Sequence, residues 1–257
     1  MEKKYFFFDI DGTLTDRSTG KIVPSAREAL DRLEANGHFV AIATGRAHYK
    51  ARKFTGANGF KNMVCCGGNG CVINNELVEN IPLDKEGCLQ IIHQSEELGY
   101  GWCVALDDTK DVYMTDDKFL RQVGKRKEPT RYIIDDMLDI DSVDAIYKIY
   151  VAIPKEEEEK LTKKELIGHL RFEPEYLMFQ PDNKRGGIIK MMEHLNADIK
   201  DVVVFGDDYN DMDMFCPEWF SIAMGNACQD LKDMASYVTD TNVNDGIKKA
   251  CEHFEWI

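Results

Sequence analysis

Short apolar runs that end in Asp, Gly, Thr or Asn recur at both ends of the chain and read as buried strands running into loops. Residues 4–10 form the first, ending in Asp11-Gly12-Thr13. Ser25 as N-cap, Glu28 three residues on as in a capping box, and Ala26, Ala29, Leu30 and Leu33 at helical spacing predict a helix that stops at Asn36-Gly37. Residues 38–43 form a second strand, ending at Thr44-Gly45, and residues 47–54 a second helix. This βαβα order predicts parallel strands joined by right-handed crossovers. A third strand over 63–66 leads into Gly-Gly-Asn-Gly, and 71–73 with 77–81 around Asn74-Asn75 reads as a hairpin.

After Pro82 the pattern changes. A helix over 84–98, a hairpin of 102–106 with 112–114, an alternating strand over 145–153, a charged helix over 155–167 and strands over 170–173 and 177–180 predict a second, mostly antiparallel sheet. The parallel pattern then returns with a helix over 187–195, the β-branched run 202–205 ending in GDDYND, a strand over 220–223 and a helix over 229–235. The expected architecture is an α/β core made of residues 1–82 and 183–257, with residues 83–182 inserted as an α+β cap.

Composition narrows the partners. A formal net charge of -14 and a pI near 4.9 argue against nucleic acid and against an anionic membrane surface, both of which need clustered Lys and Arg. No apolar stretch approaches the length of a membrane span, and the charged residues before the short run at 5–8 do not make a signal peptide, so a cytoplasmic location is expected. The eight cysteines form no CxxC pair and read as reduced. A small anionic substrate remains compatible with this balance, since it needs only a local patch of positive charge.

Three of the expected parallel strands end in reactive residues: Asp9 and Asp11; Thr44, Gly45 and Arg46; Asp207, Asp208, Asn210 and Asp211. Ligands in open parallel sheets bind beyond the carboxyl ends of the strands. Any one of these segments is explained equally well as a turn; their joint placement is not. Carboxylates crowded at strand ends need a positive charge between them, and Mg²⁺, which prefers oxygen ligands, fits Asp9 and Asp207 better than zinc does in the absence of clustered His and Cys. With the metal and Lys184 offsetting charge, Asp9 is placed to attack phosphorus and form an aspartyl-phosphate. Asp11 is placed as the acid and base that protonates the leaving alkoxide and later activates water. Thr44 and Asn210 side chains and the Ile10 and Gly45 N–H groups are candidate phosphate contacts.

The motifs FFFDIDGTLT, IATGR, NKRGGI and VVVFGDDYNDMDMF, in this order, resemble those of the haloacid dehalogenase-like hydrolase superfamily, and IAMGNA and DTNVNDGI resemble its Cof-type sugar-phosphatase branch. The resemblance implies a Rossmann-like sheet with an inserted cap and Mg²⁺. It makes Asp9 the nucleophile, Asp11 the acid/base with its backbone carbonyl on the metal, Thr44 and Lys184 phosphate-holding, and Asp207 a metal ligand. Asn210 becomes a phosphate or more distant contact, and Asp211 orients Lys184 or a metal-bound water. Asp208 stands where many relatives carry Gly or Ser and either reaches the metal through a water or is solvated. The implied activity is release of phosphate from a small phosphorylated metabolite, and a monomer or homodimer is expected. A phosphomannomutase-like phosphotransferase is the alternative, and a non-catalytic phospho-ligand sensor a further one; a dehalogenase would need neither Asp11 nor a metal.

The basic cluster Arg46, Lys50, Arg52 and Lys53 reads mainly as a solvated helix face, with Arg46 as its one candidate for substrate binding. His48 is a candidate leaving-group contact. Gly-Gly-Asn-Gly at 67–70 has the wrong spacing for a dinucleotide fingerprint, and the tryptophans and methionines read as packing residues.

Overall fold

The computed structural model describes residues 2–126 and 130–257. It divides into two compact units, one holding the chain up to Arg46 with Lys53–Glu79 and Asn183–Ile257, the other Ala47–Arg52 with Asn80–Asp182.

The first part of the chain supplies β1 (Tyr5–Phe8), α1 (Pro24–Ala35), β2 (Phe39–Ala43), α2 (His48–Ala57), β3 (Met63–Cys65), β4 (Gly70–Ile73) and β5 (Glu76–Asn80). The middle supplies α3 (Lys85–Glu97), β6 (Trp102–Ala105), β7 (Asp111–Met114), α4 (Lys118–Val123), β8 (Arg131–Ile134), β9 (Lys148–Val151), β10 (His169–Glu173) and β11 (Tyr176–Phe179). The last part supplies α5 (Lys184–His194), β12 (Val202–Gly206), β13 (Phe220–Ala223), α6 (Gln229–Met234), β14 (Tyr237–Val238) and α7 (Gly246–His253).

Eight strands form the first sheet in the order β14-β13-β12-β1-β2-β3-β4-β5. From β14 to β3 every pairing is parallel, and β4 turns back antiparallel on β3. The central strands are apolar on both faces, as strands covered by helices on each side must be. Phe7, Ala41, Val64, Val202 and Val204 pack with Ile188, Met191 and Met192 of α5. On the opposite face Phe8 stacks on Phe205 at 4.7 Å between ring centroids, and Phe6 meets Trp256 edge-on. Successive side chains of a strand point to opposite faces, so one run of phenylalanines serves both layers. The β4–β5 turn places Asn74 and Asn75 at φ 52° and 68°, the left-handed region this hairpin needs.

The second unit is built on a sheet in the order β10-β11-β9-β6-β7-β8, antiparallel except for β7 with β8. Trp102, Val104, Ile149, Val151, Leu177 and Phe179 bury one face with Cys88, Ile91 and Ile92 of α3.

Two differences between the local readings and this structure have a clear physical cause. Helix α1 starts at Pro24 with Val23 as N-cap and no side-chain cap, so Ser25 and Glu28 make no capping box. Proline at the first helical position has its φ preset and no N–H to satisfy, which moves the N-cap from Ser25 back to Val23. The charged run 155–167 is not one helix but two 3-10 turns, Lys155–Lys160 and Lys164–Leu166. Four adjacent glutamates repel along a helix, and their side chains are drawn elsewhere: Glu158 to Arg171 at 2.7 Å, Glu159 to Lys164 at 2.6 Å.

Candidate active site

The register of the parallel sheet aligns the strand ends. Phe8 lies opposite both Phe205 of β12 and Ile42 of β2, and the pairing with β12 extends one step further as Asp9 N–H donates to the Phe205 carbonyl at 3.1 Å. Asp9, Asp207 and Thr44 therefore leave their strands at nearly the same level, although they stand far apart in sequence. Helix α5 brings Lys184 to the same end, and Asn183 caps it through a side-chain oxygen that accepts from Gly186 N–H at 2.9 Å.

The approach of α5 depends on Gly68. Its φ is +105°, and a Cβ there would lie 1.9 Å from the Asn183 carbonyl oxygen, so only glycine lets this loop close against the helix start. The Gly67 carbonyl also accepts from Asn183 N–H at 2.8 Å, which makes the Gly-Gly-Asn-Gly segment the backing of Lys184.

Lys184 is fully buried and donates to Asp9 Oδ1 at 2.8 Å and to Asp211 Oδ1 at 2.5 Å. Asp9 Oδ2 accepts from Asp11 N–H at 2.9 Å, and Asp211 Oδ2 accepts from the N–H groups of Asp207 and Asp208 at 2.9 and 3.2 Å. Asp207 Oδ1 accepts from the Thr13 hydroxyl at 2.9 Å; its Oδ2 accepts from Arg17 at 2.8 Å and from Asn226 at 3.3 Å. Gly12 makes room for that carboxylate, since a Cβ there would stand 2.3 Å from Asp207 Oδ2.

Two buried carboxylates, Asp9 and Asp211, share one buried ammonium, and a third, Asp207, is buried beside them. Burial, reinforced by Asp211, pushes Asp9 up to about 7 against the pull of Lys184. Burial also pushes Asp207 up to about 6, against the hydrogen bonds from Thr13 and Arg17. For Lys184 burial works against the charged form, yet Asp211 and then Asp9 outweigh it and hold the ammonium above the ordinary lysine range.

Asp9, Asp207 and Asp211 each offer an oxygen within 4.8 Å of the others, the one group of three potential metal-ligating side chains among the described residues. An all-carboxylate donor set of this size suits a hard divalent cation and not zinc. Asp211, with both oxygens engaged by Lys184 and by backbone N–H groups, is built to hold Lys184 and the 206–208 turn. Asp208 lies outside the group: its Oδ1 accepts from Tyr209 N–H at 2.9 Å, capping the 3-10 turn Tyr209–Met214, and its Oδ2 accepts from Arg17 at 2.8 Å.

Ile10 and Thr44 are buried, and the Thr44 hydroxyl accepts from Arg46 N–H at 3.2 Å across Gly45. Asp11 carries an exposed carboxylate, and both its oxygens lie 2.7 Å from one nitrogen of Arg46. Arg46 thus sits on the expected acid/base. Asn210 is half-buried in the turn that Asp208 caps. His48 belongs to the second unit, with Nδ1 2.5 Å from Asp108 Oδ2, while Tyr49 N–H donates to Asp108 Oδ1 at 2.8 Å.

Sequence reasoning gave no role to Arg17, Thr13 or Asn226. Asn226, in the IAMGNA segment, donates to the Gly12 carbonyl at 2.9 Å as well as to Asp207, and its own Oδ1 accepts from Asn242 N–H at 3.0 Å. Asn242, in DTNVNDGI, donates to the Thr15 carbonyl at 2.8 Å. The two late segments therefore clamp the first loop to Asp207. Their asparagines were visible as family-like motifs, but nothing in the spacing named their partners.

Residues 6–251 match a family model described as haloacid dehalogenase-like hydrolase. The chain is 29% identical over 253 residues to YkrA of Bacillus subtilis, covering 97% of each chain. It is 27% identical over 266 residues to pyridoxal phosphate phosphatase YbhA of Escherichia coli, covering 96% of this chain and 97% of that one. Among solved structures it resembles the subclass IIB sugar phosphatase BT4131, at 25% identity and a TM-score of 0.77 over 99% of this chain and 100% of that one.

Proposed function

The chain belongs to the haloacid dehalogenase-like hydrolases and is a phosphatase of small phosphorylated metabolites, and from that premise we propose that it works with Mg²⁺ and through a phosphorylated Asp9. The observation that carries this reading is the buried Lys184 bridging Asp9 and Asp211, with an oxygen of Asp207 inside the same 4.8 Å group.

A divalent cation bound by Asp9 and Asp207 would lower the electrostatic cost of bringing a phosphate dianion to a carboxylate. The rest is work for the chain's own residues. Lys184 keeps Asp9 oriented and adds a fixed positive charge where an incoming phosphoryl group needs one. Asp9 attacks phosphorus in line; the P–O bond to the leaving group breaks, and the departing alkoxide takes a proton from Asp11. Asp11, now ionised, removes a proton from the water that attacks the aspartyl-phosphate. Inorganic phosphate leaves and Asp9 is restored. Thr44, Asn210 and the N–H groups of Ile10 and Gly45 are assigned to the phosphoryl oxygens, and Arg46 to Asp11 and substrate. Residues 83–182 are assigned substrate selection.

The test is phosphate release from a panel that includes a hexose phosphate and pyridoxal phosphate, with and without Mg²⁺, for wild type and Asp9→Asn. Loss of the nucleophile should cost about 10⁴-fold or more in kcat. Equal rates for the two proteins would end the mechanism, and transfer of the phosphoryl group to a sugar in preference to water would identify a phosphotransferase.

A further inference from the structure

Arg17 lies in the loop after β1, its side chain more than half exposed, yet one guanidinium nitrogen sits 2.8 Å from Asp207 Oδ2 and 2.8 Å from Asp208 Oδ2. It bridges the buried carboxylate expected to hold the divalent cation and a second carboxylate that is itself 41% exposed. Every oxygen of Asp207 has a donor, but the donors differ in kind. The hydroxyl of Thr13 is neutral and buried, and the amide of Asn226 is neutral and tied to the Gly12 carbonyl. Neutral dipoles can share a carboxylate with a metal; a guanidinium cannot do so without repulsion between two cations on one ligand.

Asp208 gives Arg17 somewhere to go. Its carboxylate is not needed by Lys184 and is not among the clustered oxygens, and its other oxygen is committed to capping. A long side chain anchored on Asp208 can leave Asp207 without entering bulk solvent.

We propose that Arg17 is a built-in competitor of the divalent cation at Asp207, retained by Asp208 when the cation binds. Resting on the metal-dependent reading above, the inference assigns Arg17 the regulation of that site: it stabilises Asp207 as an anion while no metal is bound and sets the concentration at which metal takes over. Asp208 becomes the other half of the device.

Isothermal titration of Mg²⁺ alone into the full-length chain, without substrate, tests this through binding rather than turnover. Arg17→Gln removes the competing charge and should tighten the dissociation constant by about fivefold, the size expected for loss of one partly exposed ion-pair partner. Arg17→Lys keeps the charge and should stay within about twofold of wild type. Asp208→Asn keeps a capping side chain but removes the alternative partner, and should weaken Mg²⁺ binding by about threefold. The opposite signs for Arg17→Gln and Asp208→Asn are the signature. If Arg17→Gln weakens binding or leaves it unchanged while wild type binds Mg²⁺, Arg17 is a support for Asp207 and the inference is wrong. If wild type binds neither Mg²⁺ nor Mn²⁺, the metal-dependent reading fails and takes the inference with it. Thermal melts of each variant in chelator establish that the comparison is made between folded proteins.

Discussion

Replacing Lys184 with methionine tests whether the centre is held by charge. The substitution nearly conserves volume at a position with no exposed surface, so packing loss is small, and the perturbation is the removal of one ammonium that lies 2.8 Å from Asp9 and 2.5 Å from Asp211. Breaking a buried pair by deleting one partner costs about 3–5 kcal/mol, because the remaining charge stays buried without compensation. At about 2–4 °C per kcal/mol for a chain of this size, the melting temperature should fall by roughly 6–20 °C.

The loss should depend on pH. Asp9 already titrates near 7, and without Lys184 its folded-state value rises further above the unfolded one. A folded state that binds the extra proton is favoured at low pH, so the penalty should be largest at pH 8 and shrink as pH falls through 6. Adding Asp211→Asn removes one of the two orphaned carboxylates while an amide oxygen can still accept from the backbone of the 206–208 turn. The double variant should recover about 1–3 kcal/mol relative to Lys184→Met alone. Urea and thermal unfolding in chelator measure all three proteins without a metal to mask the effect. A Lys184→Met protein within 1 kcal/mol of wild type at pH 8, taking roughly that as the limit for a minor surface effect, or a double variant no more stable than the single one, would refute the reasoning.

Two further outcomes follow from the same geometry. Protons compete with a divalent cation for Asp9 and Asp207, whose pKa values burial raises to about 7 and about 6, so Mg²⁺ affinity measured by calorimetry should weaken as pH falls from 8 to 6, with protons released on binding. An affinity flat across that range would contradict the raised pKa values. Gly68→Ala combines a left-handed φ with a contact of 1.9 Å to backbone and should destabilise the protein by about 2 kcal/mol or more, read as a lower urea midpoint; a wild-type midpoint would mean that the loop moves away from α5 at little cost.

The parts of the fold that could be read from sequence are those whose cause is local. Phe6-Phe7-Phe8 and Val202 to Phe205 are apolar on both faces because both faces are covered, and such runs declare themselves as central parallel strands. The residues at their ends, Asp9 and Asp207, could be named for the same reason, since a strand delivers the residue that follows it to a fixed place. What could not be read depends on side chains crossing long stretches of chain. Arg17 meets Asp207 from 190 positions away, and a lone arginine in a polar loop carries no mark of its partner. Arg46 was legible as a basic residue near phosphate chemistry, but its pairing with Asp11 follows from a register that only the assembled sheet supplies. Helix α7 was missed although Ile247, Ala250 and Cys251 fall at helical spacing, because it spans only 8 residues, and β8 because both its ends are exposed and its burial does not alternate.

The adjacency of β1 and β12 also sets a timetable for biosynthesis. The lysine that satisfies Asp9 is encoded 175 positions later, which at a typical elongation of roughly 5–20 residues per second is a delay of about 9–35 s. During that interval the segment carrying β1 exposes one edge of a phenylalanine-rich strand and holds Asp9 without the ammonium that will pair with it. Catalytic competence therefore arrives late in translation, and a ribosome stalled before α5 would display a nascent chain that holds the nucleophile but has nothing to steady it.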